Sequence, residues 1–149
     1  MGCIFCEFIN GKKNHVLDND FVKNRSPYPL IPVFEDKNIF SFLSIPDNTR
    51  ETHLLIIPKE HHEFIEDMPE EALNKIFPTI ARITGLVRKN YGDCQILLNN
   101  GKNADQYIKH IHFHIIPKNS RKLVLWNNLS HKKFEELSSE LIDIFKHTQ

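Results

Sequence analysis

The chain has 149 residues, and its 19 Lys and Arg are balanced by 19 Asp and Glu, so the formal net charge is zero. That length fits one domain, and the charge balance argues against a general electrostatic grip on nucleic acid or an anionic membrane. Hydrophobic residues make up 40%, with 11 Phe, which supplies a real core and excludes wholesale disorder.

The N-terminus, Met1-Gly2-Cys3-Ile4-Phe5-Cys6-Glu7, has no basic-then-apolar signal pattern, and no apolar run reaches the length of a membrane span. Three cysteines cannot all pair, and two sit close together as Cys3-x-x-Cys6. This pattern points to a reducing, cytoplasmic location and to metal or redox use, not to a disulfide scaffold. Residues 12–31 are polar and end in Ser26-Pro27-Tyr28-Pro29, which predicts an irregular loop or insertion.

Regular structure is expected after Pro32. Glu35-Asp36-Lys37-Asn38 reads as a turn between short strands at 33–34 and 39–43. Residues 45–50 form a second turn cluster. His53-Leu54-Leu55-Ile56-Ile57 is apolar on both faces, as a central strand covered on each side would be. Over 69–91, Leu73, Ile76, Phe77, Ile80, Ile83 and Val87 fall on one helical stripe, with Glu70 and Glu71 at its start. Pro78 lies inside that pattern and should kink or split the helix. A strand is expected at 95–99, then a turn at Asn99-Asn100-Gly101-Lys102-Asn103. A last helix is expected over 131–146, with Ser130 as its cap and Phe134, Leu137, Leu141 and Ile144 on its apolar stripe. Short strands, tight turns and grouped helices predict an α+β domain on an antiparallel sheet.

The chemistry concentrates in His110-Ile111-His112-Phe113-His114-Ile115-Ile116-Pro117. On a strand, strict alternation turns all three histidines one way and Ile111, Phe113 and Ile115 the other. Neighbours on one face then lie about 6.6 Å apart, and the apolar face packs on the core, against the Pro78 helix. Imidazole is the side chain suited to neutral pH, as nucleophile, acid, base or metal ligand. Two chemistries fit the three rings: a metal site on the strand, or nucleophilic attack by one ring assisted by the next. The glycine turn upstream, with its amide side chains, suits a phosphate.

Asn99-x-Gly101-x-x-Ala104-x-Gln106-x-x-x-His110-x-His112-x-His114 resembles the motif of the histidine triad (HIT) family of nucleotide hydrolases and transferases. The likeness continues through Phe34-Glu35-Asp36-Lys37, Phe40-x-Phe42-Leu43-x-Ile45, the stretch from His53 to His61, and Ile76-Phe77-Pro78. Cys3-Ile4-Phe5-Cys6 is similar to the start of bacterial-type members of the Hint branch. The resemblance implies a HIT-like fold: about five antiparallel strands with a kinked helix on one face and a C-terminal helix. It implies that His112 is a nucleophile forming a covalent nucleotidyl-histidine at the α-phosphate, and that His114 steadies charge or the leaving group. Asn99 and Gln106 would bond the phosphate, Ser44, Ile45 and Tyr107 would lie in the nucleotide site, and His53 would support that site from behind the residues that touch the nucleotide. Cys3, Cys6, His61 and His110 would hold a structural zinc, with His62 the competing ligand. Homodimerisation is implied as well, with Trp126 and the last helix as candidate contributors.

Three positions depart from the family pattern: Ser44 replaces an acidic residue, Asp105 a glycine, and Tyr107 a small hydroxyl residue. The implied activity is hydrolysis of a nucleoside phosphoramidate or acyl-nucleotide. A dinucleoside polyphosphate hydrolase uses the same residues, and a zinc-stabilised nucleotide-binding module with weak catalysis is the non-enzymatic alternative.

Overall fold

The computed structural model describes residues 2–16, 28–44, 53–118 and 130–147. Ile45 and Trp126 lie outside these residues, as does the turn at 45–50. In chain order the elements are α1 (Ile4–Ile9), β1 (His15–Val16), β2 (Tyr28–Pro29), β3 (Pro32–Glu35), β4 (Ile39–Ser44), β5 (His53–Pro58), α2 (Glu70–Tyr91), β6 (Cys94–Leu98), β7 (Phe113–Pro117) and α3 (His131–Lys146). Short 3-10 turns occupy Ile65–Asp67 and Lys102–Ala104.

Five strands form one antiparallel sheet in the order β3-β4-β5-β7-β6. The expected turn after β3 is built by Asp36, whose Oδ1 accepts the backbone N–H groups of Asn38 and Ile39 at 2.7 and 2.8 Å. β5 holds the centre and all six of its residues are buried, which explains its unbroken apolar run.

Register sorts the sheet into two faces, because directly paired residues share a face. Leu43, Leu54, Ile115 and Ile96 align across one face; Phe42, Leu55, His114 and Leu97 align across the other. α2 and α3 both cover the first face, where Val87, Tyr91, Leu137 and Leu141 meet Leu43 and Leu54 around a very small cavity. Phe77 of α2 meets Phe113 of β7 with ring centroids 5.8 Å apart. The apolar side of the histidine segment therefore packs on the Pro78 helix, as its alternation predicts. α1 approaches the second face, where Phe5 and Phe8 pack against Phe42 of β4.

Several expectations are corrected. α2 runs unbroken for 22 residues through Pro78, so the proline does not split it. Beside the proline, Phe77 packs on Phe113 of the sheet and helps hold the helix where one backbone bond is lost. Phe77 is 47% exposed, and Tyr91 instead closes the buried stripe. Phe145, not Ile144, is the last buried residue of α3, whose start is capped by Ser130 Oγ accepting from Lys133 N at 3.1 Å. The stretch 12–31 is not irregular at its ends: β1 and β2 pair antiparallel, His15 with Pro29 and Val16 with Tyr28. Tyr28 is buried there against His131 and Phe134 of α3. No helix among the described residues is long and apolar enough to cross a membrane.

Candidate metal centre and active site

β7 begins only at Phe113, so His110 ends a bend and His112 stands on the segment leading into the strand, with His114 on the strand itself. The alternation survives this shorter strand. Ile111, Phe113 and Ile115 are buried in the core, while the His112 and His114 rings meet at 4.9 Å on the opposite side. All three histidines are at least 94% buried, as is His53.

Each of the two upstream rings has one nitrogen committed to a backbone carbonyl. His110 Nε2 lies 2.9 Å from Pro58 O, and His112 Nδ1 lies 2.7 Å from His110 O. A carbonyl oxygen only accepts, so each of these nitrogens carries the proton. In the neutral rings the lone pair is therefore on Nδ1 of His110 and on Nε2 of His112.

The Nδ1 of His110 points into a cluster. It lies 3.4 Å from Cys3 Sγ, 3.6 Å from Cys6 Sγ and 3.2 Å from His61 Nδ1, and His61 Nδ1 is 3.3 Å from Cys6 Sγ. All four ligand atoms fall within 4.8 Å of one another. A tetrahedral Cys2His2 zinc centre sets its ligand atoms roughly 3.3–3.8 Å apart, from bond lengths of about 2.0–2.3 Å. The four residues could thus hold a metal ion, and the four distances given lie close to those of a tetrahedral centre. The structure also decides between the adjacent histidines. His61 joins the cluster, whereas His62 offers its backbone O to Ile111 N at 2.7 Å and its Nε2 lies 3.7 Å from Glu60 Oε1.

The environment favours ligands over charged, unbound forms. Burial holds His110 down to a pKa of about 4, against the opposing pull of the Pro58 carbonyl. Burial, with the neighbouring Cys3 thiol, pushes the Cys6 thiol up to about 11. A bound divalent cation would reverse the second effect and take the thiolate.

On the other side of His112, His114 Nδ1 lies 2.9 Å from His53 Nε2. This contact joins two buried rings from β5 and β7 and gives His53 a partner the sequence did not name. Ser44 ends β4 directly opposite His53 in the register, which places it at the same end of the sheet.

The loop between β6 and the histidine segment is held by its own amides. Asn99 Nδ2 donates to Asp105 O at 3.1 Å. Gln106 Oε1 accepts from Gly101 N at 2.6 Å, and its Nε2 donates to Glu63 O at 2.7 Å. Both side chains are buried and serve the loop's shape. Asp105 occupies the left-handed region at φ 61°, which explains why glycine suits this position. Tyr107 is 70% exposed, with its phenol 3.5 Å from Asp105 Oδ1.

Sequence reasoning missed two contributors. Asn100 ties the loop to the 3-10 turn at Ile65–Asp67, accepting from Ile65 N at 3.0 Å and donating to Glu66 Oε2 at 2.8 Å. That hydrogen bond holds the Glu66 carboxyl below its usual range. The other is Phe5. Its ring lies 5.9 Å from His110 and 5.1 Å from His112. The signal for it was the pair Phe5 and Phe8, spaced i, i+3 and followed by Gly11 at φ 67°, which is a short amphipathic helix with a glycine stop.

Comparison with known proteins agrees with this geometry. The chain is 32% identical over 117 residues to an uncharacterised HIT-like protein of Methanocaldococcus jannaschii, covering 78% of each. It is 33% identical over 119 residues to the adenosine 5'-monophosphoramidase of Schizosaccharomyces pombe, covering 79% of this chain and 75% of that one. Among solved structures, it is similar to a zinc-bound histidine triad family protein from Mycobacterium smegmatis. That match has a TM-score of 0.71 and 27% identity, over 100% of this chain and 99% of the other. The family model described as the HIT domain matches residues 28–121, more than half of the chain, and with these relatives it makes the protein a member of the HIT family.

Proposed function

We propose that the protein is a nucleotide hydrolase that acts on nucleoside phosphoramidates or acyl-nucleotides at the α-phosphate, with His112 as nucleophile. One observation carries this reading: the 2.7 Å bond from His112 Nδ1 to the His110 carbonyl, which leaves the lone pair on Nε2. A ring locked in that tautomer can attack phosphorus without first losing a proton. Nε2 forms a bond to the α-phosphorus as the bond to the leaving amine or acyl oxygen breaks. His114 gives the leaving group a proton, or steadies its charge, and takes support from His53 at 2.9 Å. Water then displaces His112 from phosphorus and releases the nucleoside monophosphate. Asn99 and Gln106 shape the loop that receives the phosphate, and Ser44 stands on the nucleoside side, with Tyr107 at the rim. The names of fungal relatives such as the Schizosaccharomyces pombe monophosphoramidase support this substrate class.

The metal is zinc and its role is structural. Cys3, Cys6, His61 and His110 would hold it, and four protein ligands leave no open position for substrate. When bound, it supplies a cross-link between the N-terminus and the histidine segment. The zinc-bound Mycobacterium smegmatis neighbour supports the choice of ion. A reducing cytoplasm would keep both thiols available.

A homodimer completes the reading. β6 is an edge strand with Ile96 52% exposed, and Phe77 of α2 leaves 47% of its surface open on the sheet's helix-covered side. An edge strand with an apolar neighbour is suited to a second copy. α3 uses its own apolar face within the chain, burying Phe134, Leu137, Leu141 and Phe145.

The deciding experiment incubates the protein with a radiolabelled adenosine phosphoramidate and traps the intermediate in base. A nucleotidyl group mapped to His112, and its disappearance in His112→Asn, is expected. Turnover that persists in His112→Asn would overturn the mechanism, and absence of any turnover would leave a binding module. A parallel assay with dinucleoside polyphosphate ranks the two substrate classes by kcat/KM.

A further inference from the structure

The N-terminal helix α1 has six residues, too few to be stable alone, so whatever fastens it decides where it sits. Two of its fasteners are Cys3 at the cap and Cys6 within the helix, both in the metal-binding group. The side chain between them, Phe5, is 2% exposed and packs beneath the histidine segment. Its ring is T-shaped to Phe42 at 6.1 Å, to His110 at 5.9 Å and, nearest of all, to His112 at 5.1 Å.

Among the described residues, three neighbours stand against His112. The His110 carbonyl fixes Nδ1, the His114 ring stands at 4.9 Å, and Phe5 stands at 5.1 Å. The Nδ1 bond fixes one ring atom and does not by itself fix the ring plane. The two ring contacts restrict that plane. Only one of them, Phe5, comes from outside the β5–β7 framework, on a helix whose anchor is the metal-binding group.

We propose that Phe5 is a positioning residue for His112, and that it mechanically joins metal binding at the N-terminus to the aim of the nucleophilic ring. The proposal rests on the reading of His112 as nucleophile and of the four ligands as a zinc site. Phe8 provides the internal comparison. It is buried on the same helix and packs on Phe5 and Phe42, with no ring contact to either histidine recorded among the described residues. If α1 only stabilised the fold, Phe5 and Phe8 would behave alike.

The test uses the full chain with Phe5→Leu and Phe8→Leu, each with and without Cys3→Ser. Metal content, thermal midpoint, kcat and KM on an adenosine phosphoramidate, and the 15N ring resonances of His112 are measured. Phe5→Leu should retain the wild-type metal content, lose roughly tenfold or more in kcat, and shift or broaden the His112 ring signals. Its KM should move by less than about twofold, since the ring's aim and not substrate affinity is altered. Phe8→Leu should lower the thermal midpoint by a similar amount while keeping kcat and the His112 signals near wild type. Cys3→Ser should lower kcat in the wild-type background and add little in Phe5→Leu, because both act through one element.

Unchanged His112 signals and kcat in Phe5→Leu would overturn the proposal. So would a raised KM with intact kcat, which would make Phe5 a wall of the substrate pocket, or equal kcat losses in both leucine variants. If the wild-type protein formed no His112 adduct, the nucleophile reading would fail. The ring resonances would still decide whether Phe5 holds His112 in place.

Discussion

Acid should weaken the metal-stripped fold through His110, and the size of the effect follows from where this ring sits. Its side chain is fully buried, and burial lowers its pKa to about 4, while an unfolded histidine titrates near about 6.5. The unfolded chain therefore takes up this proton first as pH falls. The contribution of His110 to stability is complete above about pH 6.5, declines between about 6.5 and 4, and is flat below. The gap of about 2.5 units corresponds to roughly 3 kcal/mol at 1.36 kcal/mol per unit. Urea unfolding of the chelator-treated protein at steps from pH 7 to pH 4 measures the decline. His110→Gln, which cannot titrate, isolates the share of this one residue by difference. The titration of His110 in the folded protein, followed by NMR, gives a second reading that does not depend on the variant folding. If His110 titrated near 6.5 in the folded chain, or if both proteins lost stability in parallel, the assignment of a buried, neutral ligand would be wrong.

Three further outcomes are expected. Metal binding at pH 7 should release the proton held by Cys6, whose thiol is pushed up to about 11, and apparent affinity should rise about tenfold per pH unit for that proton; calorimetry in buffers of different ionisation enthalpy would refute this by showing no proton release. His53→Ala removes the 2.9 Å partner of His114 and should lower kcat by roughly ten- to a hundredfold with KM little changed, whereas an unaltered kcat would remove His53 from the mechanism. Asp105→Gly relieves a side chain held at φ 61° and should stabilise the fold by about 0.5–1 kcal/mol in thermal melts; a loss of stability would show that the Asp105 side chain is needed where it stands.

The parts of this protein that were legible in its sequence are those where a local pattern coincides with a global one. β5 reads as a central strand because its apolar residues have no polar alternation, and the sheet buries it on both faces. The 110–115 segment reads correctly for faces because extended backbone alternates whether or not a ladder forms, so the late start of β7 does not matter. What was not legible depended on contacts distant in sequence. Nothing local makes Tyr28 a core residue; it is buried by α3, more than one hundred residues later. Phe77 sits on the helical stripe yet stays 47% exposed, because α2 lies over β7 and the edge strand β6 and has no further layer beyond them. His61 and His62 are equivalent as letters. Only the approach of Cys6 and His110 distinguishes them.

The histidine segment shows how one repeated side chain can serve two chemistries two residues apart without mixing them. Both upstream rings spend one nitrogen on a backbone carbonyl, but they spend opposite ones. His110 gives Nε2 to Pro58 and turns Nδ1 toward the thiols; His112 gives Nδ1 to His110 and keeps the Nε2 lone pair. The first choice suits a ligand and the second suits a nucleophile. The choices are also linked, since the carbonyl that fixes His112 belongs to the residue that joins the metal-binding group. A side-chain change at His110 therefore acts twice: it removes a ligand, and it releases the Pro58 bond that steadies the backbone carbonyl used by its neighbour. A change at Cys6 reaches His112 only through His110 and α1. Activity measured against residual metal should separate the two: Cys6→Ser loses activity in proportion to metal, while His110→Gln loses more than its metal content accounts for. If the two variants fell on one line, the position of the His110 carbonyl would not depend on the His110 ring, and the link between the ligand and its neighbour's tautomer would be incidental.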